Sequence, residues 1–205
     1  MATRDYSLDL PILQSAKKEF FEKKYEKASL KCIADSANVS TGALYIRYKG
    51  KEDLFHAVVE KCLTQVDNIF AEKYNADFSM MTDDELLKAW TMDETYMLWW
   101  FDFFDHYHDE FTLLFKCSMG TKYENYQHDL VDMMTEVSYK CYEELYKRKL
   151  AKTEITRKEM HVLLTAFANM IFEPFVHDFT KSEIAKICIY ACQLFAWQKL
   201  IYNNE

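Results

Sequence analysis

Glycine and proline are scarce in this sequence. Three glycines (Gly42, Gly50 and Gly120) and two prolines (Pro11 and Pro174) occur among 205 residues. These are too few for the tight turns that a β-sheet or an α/β fold requires. Half of the residues are apolar and 16% are aromatic, unlike the composition of a disordered chain. The sequence therefore predicts a globular, all-α protein.

Long uncharged apolar runs are also missing. No stretch approaches the roughly 20 apolar residues of a membrane span, and the N-terminus begins with Arg4 and Asp5 instead of an apolar leader. We therefore expect a cytoplasmic protein without a membrane partner. The six cysteines form no Cys-x-x-Cys pair and lack the dense spacing of a secreted disulfide scaffold. We interpret them as reduced residues, mostly of the core: Cys32, Cys62, Cys117, Cys141, Cys188 and Cys192.

Motifs for catalysis and metal binding are absent as well. The sequence has no Glu-x-x-His pair, no glycine-rich phosphate loop and no nucleophile elbow. His106 and His108 are two residues apart, so on a helix they point to different sides and cannot easily share an ion. We therefore predict a protein that is no enzyme and that has no cofactor and no metal site. A metal-dependent enzyme built on a helical bundle is the alternative that these absences disfavour.

Positive charge is concentrated at one end of the chain. The formal net charge is −8, which by itself argues against a nucleic-acid partner. Residues 1–51, however, contain ten Lys and Arg against six Asp and Glu, whereas the remainder contains 15 against 27. The first quarter is therefore basic and the rest is acidic, a distribution that permits nucleic-acid binding by the N-terminal part alone.

The spacing of apolar residues predicts about nine helices. The first covers residues 10–23, the second begins after the N-cap Ser29 and stops at Asn38, and the third is capped by Ser40. A long fourth helix covers residues 51–73, and another of about 25 residues starts near Lys122. The last two helices are predicted at 158–172 and 183–202. Three capping boxes mark further helix starts: Thr82 with Glu85, Thr156 with Glu159, and Thr180 with Glu183. A fourth pair, Thr91 with Glu94, can restart a helix.

The second and third predicted helices have the pattern of a helix-turn-helix. The second helix of such a motif lies in the major groove, so its N-terminal residues must be small or hydrogen-bonding, as Ser40, Thr41, Gly42 and Ala43 are. Leu44 is expected to point inward onto Ile33 and Ala34. Side chains able to donate to phosphates follow, namely Tyr45, Arg47, Tyr48, Lys49 and Lys51. The starts of the second helix, at Ser29, and of the fourth helix, at Gly50 and Lys51, can each hold a phosphate through backbone N–H groups.

These residues resemble the signature of TetR/AcrR-family transcriptional regulators. The resemblance is close over about residues 10–60. It implies that Ser29, Thr41, Gly42, Ala43, Tyr45 and Lys51 occupy the family's usual DNA-contacting positions. Two positions depart from the family pattern, because Lys24 and Asn38 stand where the family usually has glycine. Asn38 can adopt a left-handed turn, whereas Lys24 implies backbone strain or a different end to the first helix. The resemblance is carried by Ile33, Ala34, residues 37–45, Tyr48 and residues 51–54.

An aromatic series follows the fourth helix. It has helical spacing and can be either packed core or the wall of a ligand pocket, because several polar ring tips need partners. In the family that the sequence resembles, the C-terminal body encloses a small-molecule site. Acidic neighbours (Asp93, Asp102, Asp105 and Glu110) suit a lipophilic ligand, including a cationic one, unless they form the solvated face opposite the aromatic residues. The candidate ligand-binding residues are Tyr96, Trp99, Trp100, Phe103, Phe104, Tyr107, Tyr123 and Tyr126.

The last two predicted helices carry broad apolar surfaces. Two antiparallel helices from each of two chains can form a four-helix bundle, and the resembling family dimerises in this way. The candidate interface residues are Phe167, Ile171, Ile187, Tyr190, Leu194 and Trp197.

Together these patterns predict a two-part protein. Residues 1–53 form a three-helix DNA-binding head, and residues 54–205 form a helical body for ligand binding and dimerisation, which the long fourth helix joins to the head. The expected function is a homodimeric repressor that binds pseudo-palindromic double-stranded DNA and is released by an unknown small lipophilic ligand. The alternative is a regulator whose body binds a protein partner instead.

Overall fold

Helices make up the regular structure of the chain. The computed structural model describes residues 6–177 and 179–197, and within these ranges it contains no strand. The all-α prediction is confirmed, with ten α-helices in place of about nine. Short 3-10 turns lie at Tyr6–Leu8 and Phe78–Met80, and a π-helical turn lies at Leu113–Cys117. The α-helices are α1 (Asp9–Lys27), α2 (Leu30–Ser36), α3 (Thr41–Arg47), α4 (Lys51–Tyr74), α5 (Asp83–Trp90), α6 (Glu94–His106), α7 (His108–Thr112), α8 (Tyr126–Lys147), α9 (Arg157–Val176) and α10 (Lys181–Leu194).

The chain forms two compact units. The first unit extends from the N-terminus to Val66 and includes Tyr107–Tyr126. The second unit contains Asp67–His106 and the chain from Gln127 onward. Helix α4 contributes residues to both units. The division into a DNA-binding head (1–53) and a body (54–205) concerns function and stays a prediction.

The core of the first unit is built on α1 to α4. Helix α1 buries Ile12, Ala16 and Phe20 at four-residue spacing, so that one apolar stripe faces inward. The Phe20 ring packs edge-on against Phe55 of α4, with ring centroids 5.1 Å apart. The other fully buried residues of these helices include Ile33, Ala34, Leu44, Leu54 and Val59.

Residues 107–126 pack against the first part of the chain. Lys17 of α1 lies 2.7 Å from Asp109 Oδ2 and 3.1 Å from Glu110 Oε1. His56 Nδ1 of α4 is hydrogen-bonded to the Tyr123 hydroxyl at 2.5 Å. Gly120 has a φ of 83°, and a Cβ there would lie 3.5 Å from the Glu26 side chain. Glycine therefore suits this turn for its left-handed conformation, whereas the contact with Glu26 is of ordinary van der Waals distance.

Helix α1 is interrupted at Lys24. This residue has φ 57° and ψ 165°, a region that glycine enters far more easily than residues with a Cβ. The interruption coincides with the predicted end of the first helix at residue 23, and one more turn then continues to Lys27. The Ala28 N–H donates to the carbonyls of Lys24 and Tyr25, which closes the helix end. The backbone at Lys24 is therefore strained, as the sequence indicated for a residue other than glycine at this position.

Capping boxes start three helices of the second unit. Thr82, Thr156 and Thr180 accept the N–H of the residue three positions on, and the glutamate at that position accepts the threonine N–H in return. These three predictions are confirmed. Thr91, in contrast, ends α5, and it is the Asp93 carboxylate that accepts the Tyr96 N–H at 2.9 Å at the start of α6. Aspartate is as good an N-cap as threonine, and Asp93 directly precedes α6, so Asp93 and not Thr91 caps this helix.

Five of the six cysteines are partly or fully buried thiols. Only Cys32 is exposed, whereas Cys192 is half-buried and the others are buried. Burial raises the pKa of the Cys141 thiol to about 12 and, together with nearby Cys192 and Glu94, that of Cys188 to about 11. The expectation of reduced, mostly core cysteines therefore agrees with the structure, apart from Cys32. Among the described residues, no helix combines the length and the apolar character needed to cross a membrane.

Candidate nucleic-acid interface and body cavity

A tight turn joins α2 to α3. Asn38 has a φ of 55°, the left-handed conformation expected for it, which asparagine tolerates better than most residues. The Val39 N–H then donates to the Ala34 carbonyl at 2.9 Å, so the chain folds back at the end of α2. This turn fixes the direction in which α3 leaves α2.

Two serines cap the helices of this motif. Ser29 Oγ accepts the Cys32 N–H at 3.4 Å at the start of α2, and Ser40 Oγ accepts the Ala43 N–H at 3.1 Å at the start of α3. The Ser29 N–H in turn donates to Glu19 Oε1 of α1 at 3.1 Å. The serine side chains thus hold the first turns of both helices, which confirms the predicted caps.

Helix α3 presents a small, polar surface outward. Leu44 is fully buried and points to the core, as predicted. Thr41 and Gly42 are exposed and Ala43 is half-buried. Tyr45 is 57% exposed and Ile46 is 81% exposed. We call the exposed residues Thr41, Gly42, Tyr45 and Ile46 the recognition face.

The recognition face includes a glycine that the fold itself does not require. A Cβ added to Gly42 would meet nothing closer than Ser40 Oγ, at 3.7 Å, which is ordinary van der Waals contact. Its φ also lies outside the left-handed region. Glycine inside a helix is less favourable than alanine by roughly 0.5–1 kcal/mol. No contact among the described residues requires glycine at position 42, whereas a surface that approaches α3 closely from outside would be a physical reason for it.

Two predicted contact residues belong to the interior of the first unit. The side chain of Arg47 is only 6% exposed; its Nε donates to Asp9 Oδ1 at 2.9 Å, and its Nη1 donates to the Ala43 carbonyl at 3.0 Å. Tyr48 is 6% exposed. The prediction that these residues reach phosphates is corrected on this point, because Arg47 ties α3 to α1 and Tyr48 packs in the core.

Lys51 closes the C-terminal end of α1. Its Nζ donates to the carbonyls of Glu26 and Ala28 at 3.1 and 3.2 Å and lies 4.6 Å from the centroid of the Tyr25 ring. A lysine ammonium has three donors, so two carbonyls leave capacity for a third acceptor. Lys51 is half-buried, whereas neighbouring Lys49 is exposed. Both lysines lie near the start of α4, as the sequence predicted.

A shallow groove surrounds the start of α4. It has a volume of about 520 Å³ and brings Lys122 beside Lys49 and Lys51. The Lys122 N–H donates to Glu52 Oε1 at 2.9 Å, and the Lys49 N–H donates to Asp53 Oδ2 at 2.9 Å. Sequence reasoning missed Lys122, since about 70 positions separate it from the motif. It also missed Ile46, whose exposure follows only from its angular position on α3.

The second unit contains an apolar cavity. Its volume is about 340 Å³, comparable to that of small-molecule sites in proteins. The wall includes one residue of each charge, Glu72 and Lys73, and the Trp90 side chain. The Lys73 ammonium lies 5.0 Å from the Tyr96 ring centroid. The remaining wall is formed by Phe70, Ala76, Phe78, Met81, Ala89, Thr91, Met92, Tyr96, Met134, Val137, Ser138 and Cys141. We call this space the body cavity.

The predicted aromatic pocket wall needs correction. Of its eight residues, only Tyr96 lines the body cavity. Trp100 and Phe104 are buried and stack on each other at 5.8 Å, so they form packed core. The Trp99 and Phe103 rings stack at 5.7 Å with Trp99 45% exposed. The last three residues belong to the first unit and are not part of the cavity wall: Tyr107, Tyr123 and Tyr126.

The acidic residues near the aromatic series do not line the body cavity either. Asp93, Asp102 and Asp105 are not part of its wall, and Asp102 and Asp105 are exposed, which agrees with the alternative of a solvated face. Glu110 pairs with Lys17 in the first unit. The argument for a cationic ligand therefore loses its basis, because the only carboxylate in the wall is Glu72, which is accompanied by Lys73.

The predicted dimer residues divide into two groups. Phe167, Ile171 and Trp197 are at most 3% exposed, and Phe167 packs edge-on against Trp197 within the chain, so these three are corrected to core residues. Ile187 is not among the buried residues, and Tyr190 and Leu194 are 52% and 74% exposed. Val162 of α9 and Ile189 of α10 are also exposed. Helix α10 ends at Leu194 instead of reaching the predicted residue 202, which lies outside the described residues.

Comparison with known families identifies the N-terminal domain. Residues 12–58 match the family described as bacterial regulatory proteins, tetR family. The matched segment contains most of α1, all of α2 and α3, and the start of α4. It therefore coincides with the helix-turn-helix and its supporting helices.

Solved structures share the fold over nearly the whole chain. NalD, the secondary repressor of the MexAB-OprM multidrug efflux pump in Pseudomonas aeruginosa, is 18% identical with a TM-score of 0.59, covering 96% of this chain and 97% of that one. PfmR, a TetR-family transcriptional regulator from Thermus thermophilus, is 17% identical with a TM-score of 0.56, covering 95% and 98%. These likenesses show the fold. The resemblance inferred from the sequence is therefore confirmed: residues 12–58 match the tetR family, and the chain shares the fold of these solved structures.

Proposed function

Because residues 12–58 match the tetR family, we propose that the protein is a homodimeric transcriptional repressor. It binds a pseudo-palindromic operator through α3, and a small lipophilic ligand in the body cavity releases it from the DNA. The observation that carries the proposal is the recognition face, whose small and polar residues are exposed on a helix with both ends fixed. Gly42 supports it further, because a DNA backbone or base edge approaching α3 supplies the reason that the fold lacks.

The recognition face suits base contacts at one end and phosphate contacts at the other. Thr41, Gly42 and Ala43, together with the cap Ser40, are the proposed groove readers, since hydroxyl groups and small side chains fit base edges. The Ile46 side chain can contact a thymine methyl group. Tyr45, Lys49 and Lys51 are the proposed phosphate donors, with the starts of α2 at Ser29 and of α4 at Gly50 as further anion positions.

Dimerisation is proposed through α9 and α10. Val162, Ile189, Tyr190 and Leu194 leave apolar surface exposed on these two helices. A second copy related by a twofold axis would cover the same residues on both chains. Such a dimer presents two recognition helices to successive major grooves about 34 Å apart, as helix-turn-helix dimers do.

The body cavity supports a lipophilic ligand with one hydrogen-bond acceptor. Its wall is mostly apolar, so most of the ligand's binding free energy would come from surface removed from water. The Lys73 ammonium is a polar group of the wall able to fix the orientation of a carbonyl, ether or carboxylate. This wall has no excess of carboxylates that would bind a purely cationic ligand.

DNA binding is tested by footprinting on the DNA that flanks the gene. Tyr45→Ala is expected to weaken binding by about 10-fold or more, because it removes an exposed contact without disturbing the core. Lys51→Ala is expected to reduce the slope of log K against log salt by about 1. Tyr146→Ala, which removes an exposed tyrosine of α8, and Lys18→Ala, which removes an exposed lysine of α1, are the matched controls. Binding that is unchanged in both test variants would contradict the proposed interface.

Ligand release is tested by a thermal-shift screen of small lipophilic compounds. A true inducer must raise the melting temperature and also release the footprinted DNA, since it binds the folded body. A compound that stabilises without releasing DNA contradicts the induction mechanism. If no compound in a broad lipophilic set stabilises the protein, the alternative of a protein partner for the body is favoured.

A further inference from the structure

Two histidines and an aspartate meet on the surface of the second unit. His128 and Asp132 lie on α8, and His161 lies on α9. One ligand atom from each residue lies within 4.8 Å of the other two. We call these three residues the His–Asp–His cluster. It shares no residue with the recognition face or with the wall of the body cavity.

The separations within the cluster match those around a metal ion. His128 Nε2 is 3.7 Å from Asp132 Oδ2, and His161 Nδ1 is 3.3 Å from Asp132 Oδ1. Two atoms that each lie about 2.0–2.1 Å from a tetrahedral zinc ion are about 3.3 Å apart. The two contacts use different oxygens of Asp132, so side-chain rotations are needed to bring one carboxylate oxygen and both imidazoles, whose ligand atoms lie within 4.8 Å of one another, around one ion. The spacing of four residues on α8 places His128 and Asp132 on the same helix face, which fixes two ligands in advance.

The surroundings of His161 favour a defined ring orientation. The Thr135 hydroxyl donates to the Val131 carbonyl at 2.8 Å and lies 3.3 Å from His161 Nδ1. The His161 side chain is 25% exposed, whereas that of His128 is 62% exposed. Because its hydrogen is donated to Val131, the Thr135 hydroxyl can only accept the Nδ1 hydrogen of His161, which a metal ion bound at Nδ1 must displace. The α8 histidine faces solvent. An ion in the cluster would keep an open side on which water completes its coordination.

We propose that the His–Asp–His cluster binds one divalent transition-metal ion per chain, with zinc as the fitting example. Two imidazoles and one carboxylate are a donor set that suits zinc and its neighbours in the first transition series, and that suits magnesium or calcium poorly. The bound ion joins α8 to α9 at a point where His161 of α9 already contacts Asp132 and Thr135 and packs edge-on against the His128 ring, with centroids 5.3 Å apart. This site goes beyond the proposed DNA and ligand binding, and neither is needed for it.

Metal binding is tested on the tag-free, full-length protein after treatment with EDTA and removal of the chelator. Isothermal titration with zinc chloride is expected to give one site per chain, and the melting temperature is expected to rise when zinc is added. His128→Gln and Asp132→Asn are each expected to weaken zinc binding by more than about 10-fold, because either leaves only two ligands. His128 is exposed, so its variant should fold normally and its melting temperature without metal should equal that of the parent.

The matched control is His177→Gln. His177 forms an exposed i,i+4 pair with Glu173 at 3.1 Å but has no third ligand nearby among the described residues, so its loss should leave zinc binding unchanged. Cobalt(II) distinguishes the cluster from the cysteines. With cobalt bound at the cluster, we expect visible absorption bands typical of nitrogen and oxygen ligands. A sulfur-to-cobalt charge-transfer band would instead place the ion on a cysteine thiolate. That band, absence of binding, or equal binding by the His128→Gln and parent proteins would overturn the proposal.

Discussion

The recognition face of α3 and the body cavity are both candidate binding sites, but they are built in opposite ways. The recognition face is exposed and combines small, hydroxyl-bearing and apolar side chains, and the Ser29 and Ser40 side chains cap the helices of its motif. The body cavity is concave and mostly apolar. The first should therefore respond to salt and charge, and the second to the size and apolar surface of its ligand.

Loss of Arg47 should have the largest effect on stability. Arg47→Ala removes a buried ion pair and leaves Asp9 without its guanidinium partner, so we expect the free energy of unfolding to fall by about 2–4 kcal/mol. Chemical denaturation measures this loss. Asp9→Asn keeps the guanidinium and should also destabilise the protein, but less. If Arg47 instead acted directly on DNA, Arg47→Ala would weaken DNA binding at unchanged stability.

Filling the body cavity should separate the two sites. Ser138→Phe places a ring in the cavity wall, so we expect affinity for a stabilising ligand to fall by about 30-fold or more, by steric exclusion. Affinity for DNA should stay within about threefold, since no contact of the recognition face is changed. Titration calorimetry and footprinting give the two affinities. A DNA affinity that falls in parallel with ligand affinity would mean that the contrast does not hold.

Relief of backbone strain at Lys24 should stabilise the first unit. Lys24→Gly allows φ 57° and ψ 165° without a Cβ, so we expect a gain of about 1 kcal/mol after the greater entropy of glycine in the unfolded chain is included. Chemical denaturation measures it, with Lys23→Gly as the control, because Lys23 lies in the regular part of α1 and should lose stability. If Lys24→Gly instead lost stability, the backbone conformation at residue 24 would not be strained.

Gly42→Ala should change stability and DNA binding in opposite directions. A methyl group fits at this position, so the free energy of unfolding should rise by about 0.5 kcal/mol, while DNA binding should weaken several-fold through a clash with the approaching DNA. Denaturation and footprinting on the same sample show both effects. Increased stability with unchanged DNA affinity would remove Gly42 from the interface.

Acid should act weakly through Asp109. The hydrogen bond from Lys17 holds the pKa of the Asp109 carboxyl below its ordinary value, so its stabilising contribution is present above that ordinary value and is lost as pH falls through the lower, folded-state pKa. Because Asp109 is half exposed, the effect should be about 0.5 kcal/mol or less. Asp109→Asn should therefore lose less stability than the parent between neutral pH and about pH 3. An identical pH dependence in both proteins would contradict this contribution.

The helix-turn-helix could be predicted from the sequence because its determinants are local. Ser40 caps a residue three positions away, Asn38 adopts the left-handed turn by itself, and Leu44 is oriented by helical periodicity. The exceptions involve distant partners. Arg47 looked like a phosphate donor because nothing in its neighbourhood indicates that Asp9, 38 positions earlier, binds it.

The body cavity could not be predicted in the same way. Its wall takes single residues from helices distant in the sequence, such as Phe70, Trp90 and Val137, so no periodic pattern marks it. The aromatic series of α6 drew attention for its composition, but large rings pack well against one another and Trp100 and Phe104 fill the core. The His–Asp–His cluster escaped notice for the same reason as the cavity, since His161 comes from a second helix.

The uneven burial of the cysteines gives the protein a built-in labelling position. The thiolate is the form that reacts with alkylating reagents, and burial raises the pKa of Cys62, Cys117 and Cys141 while it also shields them. Cys32, exposed on α2 one helix away from the recognition face, lacks this shielding. A maleimide dye added at neutral pH should therefore attach first to the DNA-binding domain, where its fluorescence reports occupancy by DNA without any engineered residue.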